Sequence, residues 1–408
     1  MKIFYNLPKK IEFCSKCVLS NQVPASIPEY LHKPSREGAK YLKLKKNSSG
    51  KNICSACEVN EMKKKINWKD REKDLIKILD KYRSKNNDYD CVVPGSGGKD
   101  SVYAAHILKY KYGMNPLTVT WPPILYTDYG YENFKNWIEI GGFDNISFKQ
   151  NGNVIKTLTK LSIENLLHPF QSFILGQKNI GAKIAAKFKI PLVFYGEPDA
   201  EYNSPISEFT AIRDHKYWLG SNSKKYYLPG IPINDLIKKH KLKYSDLKPY
   251  LPIEKKEMNN VDVKVYQLGY FLKWVPQEAY YYSVEHTNFK ARPFRTQGTY
   301  SKYNSIDDKI DDLHYYTTFI KYGIGRATYD ASQEIRNKHL TRDEGKNLIK
   351  KYDGEFPDRY FTEVMDFLDI KEETFFKLCD KFRSAHLWKK KDNKWRLRHT
   401  VNIDGADD

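Results

Sequence analysis

An apolar run that breaks into glycines just ahead of a helical pattern is what most constrains this fold. Cys91-Val92-Val93 leads into Pro94-Gly95-Ser96-Gly97-Gly98, and beyond Asp100-Ser101 the apolar residues Val102, Ala105, Ile107 and Leu108 recur at helical spacing. The pattern predicts a buried strand, a tight turn and a helix start. Such a turn lets backbone N–H groups converge on an anion, and the helix N-terminus adds positive potential. Ser96 and Ser101 bring hydroxyl donors, Lys99 a cation and Asp100 a carboxylate suited to Mg²⁺. A Walker A loop is excluded because Lys99 is followed by Asp100, not by Ser or Thr, and the dinucleotide fingerprint is excluded by glycine spacing.

The rest of the chain supplies the partners of that strand. Residues 68–83 predict an amphipathic helix, 116–121 a second strand, 132–140 a helix, 146–148 a third strand, 173–188 a long helix and 191–195 a strand ending at Gly196-Glu197. Strands alternating with helices predict an α/β fold with a doubly wound parallel sheet, its ligands at the strand C-terminal ends. Residues 203–260 give no clear pattern, and a mainly helical region starts near Val261. The expected division is 1–62, 63–260 and 261–408. Two capping boxes, Ser305 with Asp308 and Thr341 with Glu344, predict helix starts, the first opening a helix over 305–322. The charged tail 385–408 reads as loosely ordered.

Four of the six cysteines form two pairs, Cys14/Cys17 and Cys54/Cys57, each with two residues between. Two such knuckles predict a tetrahedral four-cysteine site for Zn²⁺, structural because it is closed. Two redox pairs are the competing reading, but no thioredoxin-like βαβ pattern surrounds them. Cys91 and Cys379 read as core thiols.

The formal charge of +19 suggests nucleic acid, yet only 13 of the 69 basic residues are Arg. Runs such as Lys63-Lys64-Lys65 and Lys389-Lys390-Lys391 read as solvated surface, and an acidic substrate suits the charge equally. Met1–Lys10 lacks an apolar signal core and no run reaches transmembrane length, so a cytoplasmic enzyme is expected.

Further along, Asp307, Asp308, Asp311 and Asp312 crowd together with His314 beyond them. They read either as macrodipole stabilisers or as holders of a counter-cation. Lys321 and Arg326 flank Gly323-Ile324-Gly325, where a cation can reach a leaving pyrophosphate.

Ser96–Ser101 resembles the Ser-Gly-Gly-x-Asp-Ser loop of the PP-loop ATP pyrophosphatases. That resemblance implies that Gly95, Ser96, Gly97, Gly98, Lys99, Asp100, Ser101 and Thr120 bind ATP, with Asp100 on Mg²⁺. Over most of its length the chain also resembles the N-acetyl-sugar amidotransferases of bacterial surface-glycan synthesis, the pseudaminic acid and O-antigen enzymes among them. The carriers are the paired cysteines, Gly95–Ser101, Pro169-Phe170, Gly176-Gln177, Tyr195-Gly196-Glu197, Glu201-Tyr202, Pro276–Ala279, Tyr300–Asn304, His314–Tyr316 and Gly325–Asp330. Pro198-Asp199 departs from the expected linker and leaves Asp199 in doubt. The resemblance implies attack of an N-acetyl carbonyl oxygen on the α-phosphorus of ATP, release of pyrophosphate, and replacement of AMP by ammonia to leave an acetamidino group. Ser96, Lys99, Asp100, Ser101, Lys321 and Arg326 take the catalytic places, and Gln177, Glu197, Glu201 and Tyr202 the sugar or ammonia pocket.

No cysteine follows Met1, and neither Cys91 nor Cys379 lies in a glutaminase nucleophile turn. Ammonia is therefore expected from outside the chain, and the resemblance favours a separate glutaminase subunit. Two rivals remain: a tRNA-modifying PP-loop enzyme such as a thiolase, and a non-catalytic ATP-binding scaffold.

Overall fold

The computed structural model describes residues 3, 5–25, 28–35, 39–202, 205–220, 225–258 and 261–401. The end of the charged tail and parts of the unclear stretch 203–260 lie outside these. Near the N-terminus, β1 (Leu44–Lys46) pairs antiparallel with β2 (Asn52–Cys54), which runs into α1 (Ser55–Lys63). The amphipathic helix α2 (Trp68–Tyr82) follows, burying Leu75 and Leu79. Next come β3 (Cys91–Pro94), α3 (Lys99–His106), β4 (Pro116–Thr120), α4 (Asp128–Glu139), β5 (Asn145–Ser147), α5 (Gly152–Leu166), α6 (Gln171–Phe188) and β6 (Leu192–Tyr195).

These strands and an edge strand, Lys264–Gln267, form one parallel sheet in the order β5-β4-β3-β6-edge. Val92 of β3 lies opposite both Leu117 and Val193. Alternation splits the strands between two cores. Val92 and Val193 face Ile180 and Ile184 of α6, whereas Cys91, Val93, Leu192 and Phe194 face Val102 and Ala105 of α3. Burying a side chain of this size fully stabilises the fold by about 2 kcal/mol. The chain winds outward from β3 to β5, then returns to β6 on β3's other side. The direction reverses between β3 and β6, and their C-terminal ends frame the crevice.

The doubly wound parallel sheet is as expected, and three local readings change. The sheet draws its last strand from beyond residue 260, so the expected boundary there falls inside the sheet's own sequence. Helix 305–322 starts only at Asp311, because Ser305 is left-handed at φ +53° and Asp308 spends its carboxylate on three backbone N–H groups: Ile124 (2.6 Å), Leu125 (3.4 Å) and Ile310 (2.9 Å). Thr341 and Glu344, by contrast, do form their reciprocal cap. The described part of the tail is ordered: Trp388–Lys391 pairs with Lys394–Leu397, and buried Trp388 donates its indole N–H to Ile320 O at 2.9 Å. No helix among the described residues is long and apolar enough to cross a membrane.

Candidate active site

The glycine-rich turn sits at the C-terminal end of β3 and opens α3, with Gly98 as its N-cap. Gly97 has φ +87°, a conformation open to glycine, and a Cβ there would lie 2.7 Å from Phe134 Cα. Ser101 Oγ donates to Gly98 O (2.9 Å) and Ser96 Oγ to Asp307 Oδ2 (2.8 Å). Lys99 is buried and paired with Asp100. Burial opposes its charge, but the Asp100 and Glu197 carboxylates outweigh it and hold the ammonium above its usual range. Asp100 also accepts the Trp274 indole N–H at 2.9 Å.

Beyond the turn lies a cavity of about 310 Å³, walled by Ser96–Asp100, Gln177, Glu197, Tyr202, Asp307, Asp311 and Arg326. A second cavity of about 260 Å³ shares Ser96, Asp100, Gln177, Glu197 and Tyr202, and is closed by the apolar Val119, Trp121 and Ile180. Loop 305–310 reaches the first cavity because it is stapled to the segment after β4: Thr127 N donates to Asp307 O (3.1 Å) and Lys309 N to Leu125 O (2.8 Å). Gly130 allows this approach, since a Cβ there would stand 2.4 Å from Asp307 Cα. The acidic cluster thus divides. Asp307 and Asp311 face the cavity, Asp308 is a backbone clasp, and Asp312 is buried with Arg359 Nη1 at 3.8 Å. Burial, reinforced by Asp307, Asp308 and Asp312, pushes the Asp311 carboxyl well above the usual range. Glu197 is likewise pushed up, by burial first and then by Asp100, and accepts from the Tyr202 hydroxyl. Packed carboxylates facing Lys99 and Arg326 fit a divalent cation held among phosphate oxygens.

Three expected residues reach neither of these two cavities. Thr120 is buried on the strand face opposite its neighbours Val119 and Trp121, and its hydroxyl accepts from Asn145 Nδ2 (3.0 Å). Glu201 is buried in an ion pair with Lys63, which corrects both the pocket role of Glu201 and the solvated reading of Lys63. Lys321 donates to Leu166 O (3.1 Å) and lines a separate cavity of about 360 Å³, together with Lys178, His168 and His314. Arg326 borders both that cavity and the loop cavity, and pairs with Asp330 (2.9 Å) and with the Tyr315 hydroxyl. The doubtful Asp199 takes a two-pronged bond from Arg213 at 2.9 and 2.7 Å. Trp274 went unnoticed in the sequence, where no local pattern marks it; only the fold brings it to Asp100.

Away from the crevice, the Sγ atoms of Cys14, Cys17, Cys54 and Cys57 all lie within 4.8 Å of one another and all four residues are buried. Cys14–Cys57 is 3.8 Å and Cys17–Cys54 is 3.5 Å. Zn–S bonds of about 2.3 Å in a tetrahedron place sulfurs about 3.8 Å apart, so the donors fit Zn²⁺. Hydrogen bonds with the other three thiols pull Cys14 below the usual thiol range. Arg342 clamps the knuckle by donating to Cys17 O (3.0 Å) and Cys14 O (3.1 Å).

Comparison with known proteins locates one similarity on this architecture. Residues 297–402 match the C-terminal domain of WbpG-like LPS biosynthesis proteins. That domain carries Ser305–Asp311 and Arg326, the far wall of the loop cavity. An uncharacterized protein of Methanocaldococcus jannaschii is 39% identical over 73 residues, 18% of this chain and 26% of that protein, so the match spans about a quarter of its relative. Among solved structures, NMN synthetase from Francisella tularensis aligns over 76% of this chain and 96% of its own, at 12% identity and a TM-score of 0.29.

Proposed function

We propose that the chain is an ATP-dependent N-acetyl-sugar amidotransferase of surface-glycan synthesis. The observation that carries this reading is the cavity where Ser96–Asp100, at a helix N-terminus, faces Arg326 and the carboxylates of Asp307 and Asp311. The similarity of residues 297–402 to an LPS biosynthesis domain supports the glycan side. An amide is a poor electrophile without a leaving group, and adenylylation of its oxygen supplies one.

ATP enters with its base against Val119, Trp121 and Ile180 and its β,γ-phosphates on the turn. The N–H groups opening α3, the Ser96 and Ser101 hydroxyls, Lys99 and Arg326 stabilise the charge that builds on the departing pyrophosphate. Asp100, Asp307 and Asp311 would hold Mg²⁺, which neutralises phosphate oxygens when bound. Gln177, Glu197 and Tyr202 line the wall where the acceptor amide meets the α-phosphorus, and orienting the two reactants is most of the work. Ammonia then adds to the activated carbon and AMP leaves. A separate glutaminase subunit supplies the ammonia. Cys14, Cys17, Cys54 and Cys57 would hold Zn²⁺, which contributes folding free energy and no chemistry.

The test is mass spectrometry of N-acetyl sugars incubated with ATP, Mg²⁺ and ammonium. A product one mass unit lighter, formed with AMP and pyrophosphate, is expected. ADP with orthophosphate, or AMP release stimulated by tRNA and not by sugars, overturns the reading.

A further inference from the structure

We infer that Trp274 is a positioning residue for Asp100, and that Lys63, at the end of the helix carrying Cys57, holds Trp274 in place. The inference rests on Asp100 serving Mg·ATP, as proposed above. The indole N–H of Trp274 donates to Asp100 Oδ1 at 2.9 Å. The carbonyl of the same residue accepts from Lys63 Nζ at 3.1 Å. Lys63 is the last residue of α1, the helix that begins at the second cysteine pair. Its side chain is 5% exposed and its other partner is the buried Glu201.

A buried ammonium left without its partners is strongly destabilising, so Lys63 stays fixed on the Trp274 carbonyl and on Glu201. Trp274 in turn holds one carboxylate oxygen of Asp100. The other oxygen, now on Lys99, is the one that turns to a cation when Lys99 moves to phosphate. None of the four cysteines lines the cavities around the turn, yet the helix that starts at the second pair sets the angle of its acid. Hydrogen bonds of this kind, one step behind a metal ligand, change metal affinity or activity by about 10- to 100-fold when removed.

The test is calorimetric binding of ATP, with and without Mg²⁺, to the full chain and to Trp274→Phe, Lys63→Gln and Lys63→Arg. Trp274→Phe keeps the ring and removes the N–H. It is expected to weaken Mg·ATP about tenfold and leave metal-free ATP unchanged. Lys63→Gln should follow it and Lys63→Arg should restore affinity, which keeps the test sharp if Trp274→Phe misfolds. Unchanged Mg·ATP affinity in Trp274→Phe and Lys63→Gln, or an equal loss with and without Mg²⁺, overturns the inference alone. A wild-type chain that binds no ATP overturns the functional reading beneath it.

Discussion

The cysteine cluster and the loop cavity are built on opposite plans. The cluster is closed: four thiols from two short knuckles converge on one another, and all are buried. The cavity is open and draws its walls from residues 96–100, 130, 133, 177, 197, 202, 289, 303–307, 311, 315 and 326, positions far apart in the chain. A complete ligand set fits a structural metal, whereas charged walls around unfilled space fit a ligand that comes and goes. Stability should therefore concentrate at one site and turnover at the other.

The largest expected effect separates them outright. Cys57→Ser removes a ligand from a site whose metal, in small zinc modules, contributes on the order of 10 kcal/mol of folding free energy. Metal content and folded yield should both collapse; a variant that melts normally without metal breaks the comparison. Asp100→Asn should do the reverse. Formation of AMP and pyrophosphate falls by about 10²- to 10³-fold while metal content holds. Equal losses of stability and turnover in both variants would merge the two sites into one.

A smaller contrast lies within the cavity's far wall. Arg326 faces the turn and Lys321 does not. Arg326→Ala should raise KM for ATP and lower turnover by about 10²-fold, the cost of one preorganised donor. Lys321→Met should leave ATP binding alone, since its ammonium sits on the Leu166 carbonyl beside the neighbouring cavity. ATP-dependent kinetics at saturating ammonium distinguish them, and a matching loss in Lys321→Met assigns both cations to pyrophosphate.

The same contrast explains what the sequence made legible. Knuckle spacing and the strand–turn–helix pattern are local, so the ligands and the residues of the turn could be read directly. Gln177, Glu197 and Tyr202 line the cavity because α6 and the end of β6 both lie against β3. Glu201, one residue from Tyr202, does not, and no local pattern distinguishes a carboxylate that meets Lys63 from one that meets a ligand. Thr120 failed by strand parity: Val119 and Trp121 line the cavity, so the residue between them faces away. The Ser305 box matched the capping pattern but lost to Asp308, whose tertiary bonds to Ile124 and Leu125 outweigh a local cap.

The smallest expected effect is the sign of the pH dependence at each site. Burial pushes the Asp308 carboxyl up to about 7, against the N–H groups of Ile310 and Ile124 that favour its charge. An unfolded aspartate titrates near about 3.9, so the folded chain holds the proton more tightly. That contribution to stability is complete below about pH 4 and is lost as the pH rises through about 7. Beside the cysteines, hydrogen bonds from Lys16 and Lys64 hold Glu61 down at about 2. Its contribution has the opposite sign: present above about pH 4 and lost on acidification through about 2, and screened because the carboxylate is 42% exposed. Urea unfolding from pH 4 to 7 should show a declining stability that Asp308→Asn flattens and Glu61→Gln leaves untouched. A slope unchanged in Asp308→Asn would move the effect to the other carboxyls that burial raises, Glu197, Asp311, Asp312 and Asp353, and the clasp on the segment after β4 would then be an ionised carboxylate at neutral pH.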